Sequence, residues 1–137
     1  MATIAYLAEQ ALADHLNSLN LSATAVTGRA TAAKDAPLIV CTAVEWLEDE
    51  INLNWYRIRC TVETKALASA GVDAFDDLCV EVRDGLRFTD LGTSLNEAQP
   101  LLVFASGAIS SQDKGEFSVS EDVMVETREL ELFCAMV

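Results

Sequence analysis

Residues 54–63, which read Asn-Trp-Tyr-Arg-Ile-Arg-Cys-Thr-Val-Glu, alternate between apolar and polar side chains. Tyr56, Ile58, Cys60 and Val62 share one side of the pattern, and Arg57, Arg59, Thr61 and Glu63 share the other. This period of two residues predicts a β-strand over about residues 54–65. One face of the strand is expected to pack on the core, and the other to be solvated or covered by a partner.

A second strand is predicted just before the first. Residues 38–44, Leu-Ile-Val-Cys-Thr-Ala-Val, are apolar on both faces, which favours a central strand over about residues 38–46. The acidic run Glu48-Asp49-Glu50 and the turn residues 52–54 separate the two strands, so we predict a β-hairpin. Residues 22–36 are small and polar and predict either a long loop or a short strand, with Thr24–Thr27 as the candidate edge strand.

Two segments have the periodicity of amphipathic helices. The first covers about residues 3–18, with Thr3 as the candidate N-cap and His15 on the apolar stripe. The second covers about residues 72–87. Its apolar side chains recur at steps of three and four residues, at Val72, Phe75, Cys79, Val82 and Leu86. A short helix or turn is predicted over residues 90–98.

Two more strands are predicted in the rest of the chain. One covers about residues 101–110 and ends in the turn sequence Ser-Ser-Gln-Asp-Lys-Gly at 110–115. The last runs from about Phe117 to Met136. Its apolar parity changes on the way, so we expect a bulge or break near Thr127–Glu129. The whole pattern predicts a single α+β domain over residues 1–137, with a mostly antiparallel sheet of four to five strands and two helices packed on one face.

The chain is acidic, and the charge is concentrated in its second half. The formal net charge is −13, of which residues 1–70 contribute −3 (8 acids, 5 bases) and residues 71–137 contribute −10 (14 acids, 4 bases). Proteins that grip nucleic acid need clustered Lys and Arg, so this balance argues against a phosphate-binding or sequence-reading role. It is typical of a solvated acidic surface, or of a surface that repels a polyanion.

The sequence contains no recognisable catalytic, cofactor-binding or metal-binding pattern. His15 is the sole imidazole, and neither a G-x-S-x-G motif nor a phosphate-binding glycine loop occurs. The cysteines lack C-x-x-C spacing and lie in apolar segments at positions 41, 60, 79 and 134, which predicts buried free thiols rather than a zinc site. We therefore expect a non-enzymatic protein without a cofactor. A carboxylate site at Asp73, Asp76 and Asp77 is the alternative to a solvated helix face.

The apolar runs are short. The longest are strand-sized, whereas a membrane-spanning helix needs about 20 residues. Glu9 and Asp14 interrupt the region in which a signal peptide would have its apolar block. We therefore expect a cytosolic fold that makes no contact with a membrane.

The order of these elements follows a known pattern. An opening helix, the Pro37-Leu38-Ile39-Val40 strand and the strand at 54–62 are followed by a helix over 73–86, by Leu91 and Leu95-Asn96, and by the closing strand at 126–132. In this order and composition the chain resembles, over nearly its whole length, the tail terminator (tail-completion) proteins of long-tailed bacteriophages.

The resemblance implies a function in virion assembly. It implies a homo-hexameric ring that caps the tail tube and joins it to the head. The partners would be the tail tube protein and a head-side connector or stopper protein, and DNA would pass through the ring without specific binding. The protein would be assembled in the host cytoplasm and reside in the tail or neck of the virion.

The expected assembly surfaces are loops, because loops on rigid scaffolds carry function. They are the hairpin loop 48–54, the loop 110–116 and the segment 22–36. The candidate interface or lumen residues are Glu48, Asp49, Glu50, Trp55, Asp113, Lys114 and Glu116. Trp46, Trp55 and Tyr56 fit either a protein interface or ordinary sheet packing. Two other functions remain open: another neck, head-completion or tail tube protein of a phage, and an acidic cytosolic adaptor unrelated to virions.

Overall fold

The computed structural model describes residues 3–30, 36–86, 91–104 and 110–137. Three α-helices and six β-strands are formed within these residues. The helices are α1 (Ile4–Ser18), α2 (Val72–Leu86) and α3 (Leu91–Ala98). The strands are β1 (Thr24–Thr27), β2 (Leu38–Glu48), β3 (Trp55–Leu67), β4 (Leu102–Phe104), β5 (Ser110–Ser120) and β6 (Val123–Met136). Short 3₁₀ turns at Gly28–Ala30 and Ala68–Ala70 follow β1 and β3.

The strands form one mixed sheet in the order β1-β2-β3-β6-β4, and β5 also pairs with β6. β1 is parallel to β2, whereas all other pairings in the described part of the chain are antiparallel. β5 and β4 share the outer side of β6, since β5 pairs with residues 123–131 and β4 with residues 134–136. The predicted α+β class is confirmed. The details differ, because Thr24–Thr27 adds a parallel edge strand and residues 91–98 add a third helix.

The elements with the strongest periodic patterns were predicted correctly. α1 begins after Thr3, whose hydroxyl oxygen accepts the backbone N–H of Tyr6 at 3.2 Å, as expected of an N-cap. β2 and β3 form the predicted hairpin, and β2 lies between β1 and β3 as its apolar faces indicated. α2 ends at Leu86, within one residue of the predicted boundary.

The predicted bulge near Thr127–Glu129 is wrong. β6 pairs with β3 over thirteen consecutive positions without a shift in register. The apparent change of parity arises because Glu126 and Arg128 lie on the same face as Met124 and Leu130. These two charged residues form an ion pair at 2.7 Å, with only 22% and 16% of their side chains exposed.

The C-terminal half is divided differently from the prediction. Residues 110–115, predicted as a turn, belong to β5, and the chain reverses instead at Glu121 and Asp122. Both residues have positive φ angles, 49° and 64°, as the two central positions of a type I′ turn require. Of the strand predicted over 101–110, Leu102–Phe104 form β4 and Ser110 begins β5, and residues 105–109 lie outside the described part of the chain. Shifts of register do occur, in β2 between Ala43 and Glu45 and in β5 between Ser111 and Gly115.

The main hydrophobic core lies between the helices and one face of the sheet. Leu12 and Leu16 of α1 and Leu95 of α3 are fully buried in it, together with Ile58 and Leu132 of the sheet. Burying each such side chain contributes roughly 1.5–3 kcal/mol. A smaller cluster of Ala66, Phe75, Cys79 and Met124 lies where α2 begins and β3 ends. The opposite face of the sheet carries the charged side chains of β3 and is called the open face below.

Candidate protein interface

The β2–β3 hairpin ends in an ordered loop, residues 49–54, that follows the last strand pair Glu48–Tyr56. The backbone closes this loop twice. The N–H of Asp49 donates to the carbonyl of Trp55 at 2.8 Å, and the N–H of Trp55 donates to the carbonyl of Asn52 at 3.1 Å. We call residues 47–54 the hairpin tip.

The carboxylate of Asp49 organises the loop from within. It accepts the backbone N–H of Asn52 at 2.8 Å, the backbone N–H of Ile51 at 3.3 Å and the side-chain amide of Asn52 at 3.1 Å. The hydrogen bond from the Asn52 N–H, more than any other contact, holds the pKa of Asp49 below its usual value. This arrangement is an Asx turn, which explains why the loop tolerates three acids in a row.

Glu48 has a similar role on the other side of the loop. Its carboxylate accepts the backbone N–H of Asn54 at 3.1 Å, and Asn54 adopts a positive φ of 73°. Of the three acids in this loop that were predicted as interface or lumen residues, two therefore hold the loop in shape. Glu50 is exposed, so its charge faces solvent.

The tip exposes three large aliphatic side chains. Ile51 is 88% exposed, Leu53 67% and Leu47 66%. Ile51 and Leu53 on the loop, with Leu47 near the end of β2, are apolar groups of the kind that marks a protein contact. The contact residues predicted for the tip were its acids and Trp55, and these aliphatic residues were not among them. The sequence did contain a signal for these residues. Ile51 and Leu53 interrupt a run of Glu, Asp and Asn, and a solvated turn needs no apolar side chain.

Trp55, the predicted aromatic of the site, lies at the base of the tip and is half-buried. Its ring packs at 5.2 Å from that of Phe133, and the guanidinium of Arg57 lies 4.9 Å from the Phe133 centroid. The interpretation of Trp55 as a sheet aromatic is therefore confirmed. This aromatic packing fixes the start of β3 against β6 and supports the tip from below.

Two arginines on the open face are surrounded by acids. Arg57 lies 3.6 Å from Asp49 and 3.4 Å from Glu131. Arg59 lies 3.2 Å from Glu45 and 3.7 Å from Glu129. All these side chains are at least partly exposed, so each pair contributes little to stability, about 0–1 kcal/mol. Their effect is to neutralise both cations on a face that would otherwise attract a polyanion.

The predicted residues of β5 lie far from the tip. Glu116 is exposed and its strand partner is Thr127, eight positions along β6 from Ala135, the partner of Trp55. At about 3.4 Å per residue this separation is roughly 27 Å. The side chains of Asp113 and Lys114 lie outside the described part of the structure, as do residues 31–35 of the predicted segment 22–36. The structure therefore brings together Glu48, Asp49, Glu50 and Trp55, but not Glu116.

His15 is a structural residue, as its position on the apolar stripe predicted. It is 2% exposed, and its Nε2 lies 2.9 Å from the carbonyl oxygen of Gly85 at the end of α2. The alternative carboxylate site is spread over the exposed surface of α2, at Asp73, Asp76 and Asp77. Among the described residues, no group of three or more His, Cys, Asp or Glu side chains is placed to hold a metal ion.

The four cysteines are buried and free, as predicted. Burial raises the pKa of the Cys41 and Cys134 thiols from 9.0 to about 12, so both are protonated and unreactive near neutral pH.

A scan of the chain against models of protein families finds no match, and no curated protein matches it either. None of the helices in the described residues is long and apolar enough to span a membrane.

Proposed function

We propose that this chain is a non-enzymatic assembly protein that forms a homo-oligomeric ring, and that the ring is the tail terminator of a long-tailed bacteriophage. In this function it caps the tail tube and joins it to a head-side connector or stopper protein. The hairpin tip carries the proposal, because it is an apolar surface held in place by internal hydrogen bonds of Asp49 and Glu48. Such a surface suits a lasting contact with another protein subunit.

The rigidity of the tip supports a contact that is ready before binding. Protein contacts lose affinity when loops must be ordered during association. Here the loop is closed by the Asp49–Trp55 and Trp55–Asn52 backbone hydrogen bonds, and Trp55 is packed on Phe133. Ile51 and Leu53 are therefore presented in one arrangement.

The distribution of charge supports passage of DNA rather than its capture. The net charge is −13, and both arginines of the open face lie among acids. A ring with such walls repels phosphates within about one Debye length, roughly 8–10 Å at moderate salt. DNA then slides through the opening without a strong contact.

Negative-stain imaging combined with mass measurement by light scattering tests the proposal. The purified protein is examined at several concentrations. Closed rings with a central hole and six subunits are the expected result. A particle with the mass of one chain at every concentration would contradict the proposed function.

A further inference from the structure

An apolar cleft lies at the end of the sheet opposite the hairpin tip. It has a volume of about 190 Å³ and is lined by Pro37, Ala66, Leu67, Ala70, Ala74 and Phe75, with Ser22, Ala36 and Leu78 completing it. Of these residues, Phe75 and Leu78 are buried, whereas Ala70 and Ala74 are exposed. We call this site the apolar cleft.

The cleft is suited to an aliphatic side chain. Eight of its nine lining residues are apolar, and Ser22 is the exception. An apolar cavity of about 150 Å³ is large enough to hold a benzene-sized guest. The cleft is somewhat larger, so one Ile or Leu side chain, or parts of two, fit inside it.

The tip and the cleft lie at opposite ends of β3. The tip precedes Trp55, the first residue of this strand, and Ala66 and Leu67 of the cleft are its last two residues. A strand of thirteen residues spans about 40 Å, so the tip of one molecule is far out of reach of its own cleft.

We propose that the hairpin tip of one copy inserts Ile51 and Leu53 into the apolar cleft of the next copy. The inference rests on the proposed ring and names the two surfaces that join its subunits. An apolar projection that fits a pocket elsewhere on the same molecule makes a head-to-tail contact. Such a contact repeats from copy to copy, and it closes into a ring when the rotation per subunit allows.

The apolar area at the two ends is sufficient for a specific contact. The large apolar side chains exposed at the two sites are Leu47, Ile51 and Leu53 at the tip and Leu67, Val72, Phe117 and Val119 near the cleft. Covering them together with the atoms between them buries on the order of 1,000 Å², near the lower limit for a specific interface. Each subunit of a ring makes two such contacts, so ring closure strengthens an interface of this modest size.

Charge does not drive this contact. The tip carries Glu48, Asp49 and Glu50, and α2 begins beside the cleft with Asp73. Like charges therefore approach each other, and the attraction must come from the buried aliphatic groups. Salt screens the repulsion between these acids. We therefore expect the affinity between two copies of the chain to rise with the salt concentration.

Thiol cross-linking of the double variant Leu53→Cys/Ala74→Cys tests the inference. Both positions are exposed, and the native thiols are buried, so a bismaleimide modifies only the two new thiols. We expect a ladder of cross-linked chains that ends at the number of subunits in the ring. Each single variant has one accessible thiol per chain, and neither should give a cross-linked dimer, because a tip contacts a cleft and not a second tip.

The matched control is Leu53→Cys/Asp84→Cys. Asp84 is exposed on the same helix, ten residues after Ala74 and therefore about 15 Å away. It should give less than one tenth of the cross-linked product. If imaging shows rings but cross-linking of the double variant gives no ladder, the tip–cleft contact is overturned and the proposed function stays intact. A cross-linked dimer from Leu53→Cys alone would also overturn it, in favour of a two-fold contact between tips. A chain that stays monomeric and gives no ladder would overturn both proposals.

Discussion

The buried carboxylate of Glu9 accepts the backbone N–H of Ala43 at 3.0 Å, directly before the register shift in β2. β1 ends at Thr27, opposite Cys41, so β2 has no strand neighbour on that side at Ala43. Glu9 supplies the missing acceptor. The same carboxylate accepts the backbone N–H of Arg29 at 3.2 Å and forms an ion pair with the Arg29 guanidinium. One side chain thus joins α1, the turn after β1 and the bulge of β2.

Replacing Glu9 by Ala should therefore destabilise the fold by about 1–3 kcal/mol, because the Ala43 N–H loses its acceptor inside the protein. Glu9→Gln should cost less, since an amide oxygen still accepts one hydrogen bond. Urea unfolding measures both changes. The control is Asp14→Asn on the exposed side of α1, which should stay within about 0.5 kcal/mol of the wild type. Equal stability of Glu9→Ala and wild type would contradict the described role.

The β5–β6 turn should be improved by glycine. Asp122 has a φ of 64°, a left-handed conformation that costs roughly 1 kcal/mol in a non-glycine residue and nothing comparable in glycine. Asp122→Gly should raise the free energy of unfolding, measured in urea, by about 0.5–1 kcal/mol. A decrease would contradict the expected strain at this turn.

The control for this prediction is the opposite substitution, Gly71→Ala, which removes a glycine from a position with positive φ. Gly71 has a φ of 97°, and a Cβ added to it would meet no other atom within 4 Å. The added methyl group therefore meets no neighbouring residue, and the cost should come from the backbone conformation alone, about 1–3 kcal/mol.

The buried thiols should make stability depend on alkaline pH. Cys41 and Cys134 keep their protons in the folded protein up to a pKa of about 12, whereas in the unfolded chain they lose them near the ordinary value of 9.0. The two thiols therefore contribute their full stabilisation of the folded state below pH 9, and this stabilisation declines as the pH rises from 9 towards 12. Melting temperatures between about pH 7 and pH 10.5 test this, with Cys134→Ala showing a shallower decline. A parallel decline in the two proteins would contradict the assignment.

The hairpin tip should contribute to assembly but not to folding. Leu53→Asp changes an exposed side chain, so the free energy of unfolding should stay within about 0.5 kcal/mol of the wild type. The mass measured by light scattering should fall to that of one chain, because a new charge cannot enter an apolar cleft. The control is Thr93→Asp, which adds the same charge at an exposed position of α3 that belongs neither to the tip nor to the lining of the cleft. Unchanged assembly of Leu53→Asp would count against the tip as a contact surface.

Salt should strengthen the self-association. Between about 0.05 and 0.5 M NaCl the Debye length shrinks from roughly 14 to 4 Å, which screens the repulsion between acidic subunits. We therefore expect the dissociation midpoint, read from a dilution series, to move to lower protein concentration by about tenfold or more. Weaker association at high salt would instead indicate a contact made by ion pairs.

The sequence predicted those elements whose own residues decide their structure. The stripe of Phe75, Cys79 and Val82 was enough to predict α2, and the alternation at 56–63 was enough to predict β3. The turn at Glu121 and Asp122 was missed because it contains no Gly or Asn, the residues that usually mark positive φ. Its geometry depends on the pairing of β5 with β6, which a local pattern does not contain.

The location of the candidate site stays a prediction. The loop 48–54 was chosen because loops carry function, and its acids were named as the contact residues. In the structure Asp49 and Glu48 instead accept hydrogen bonds from the backbone of their own loop, and Ile51 and Leu53 are exposed. The hydrogen bonds and ion pair of Glu9 could not be predicted from the sequence, because they are made between distant parts of the chain. Its partners, Arg29 and Ala43, lie 20 and 34 residues away along the chain and meet it only after folding.

Sedimentation velocity over about a hundredfold range of concentration tests the central claim, self-assembly into a closed ring, most directly. We predict one discrete heavy species of about six times the 14.8 kDa mass of the chain, whose sedimentation coefficient does not increase further as the concentration rises. A single 14.8 kDa species throughout, or a species that keeps growing with concentration, would contradict the account.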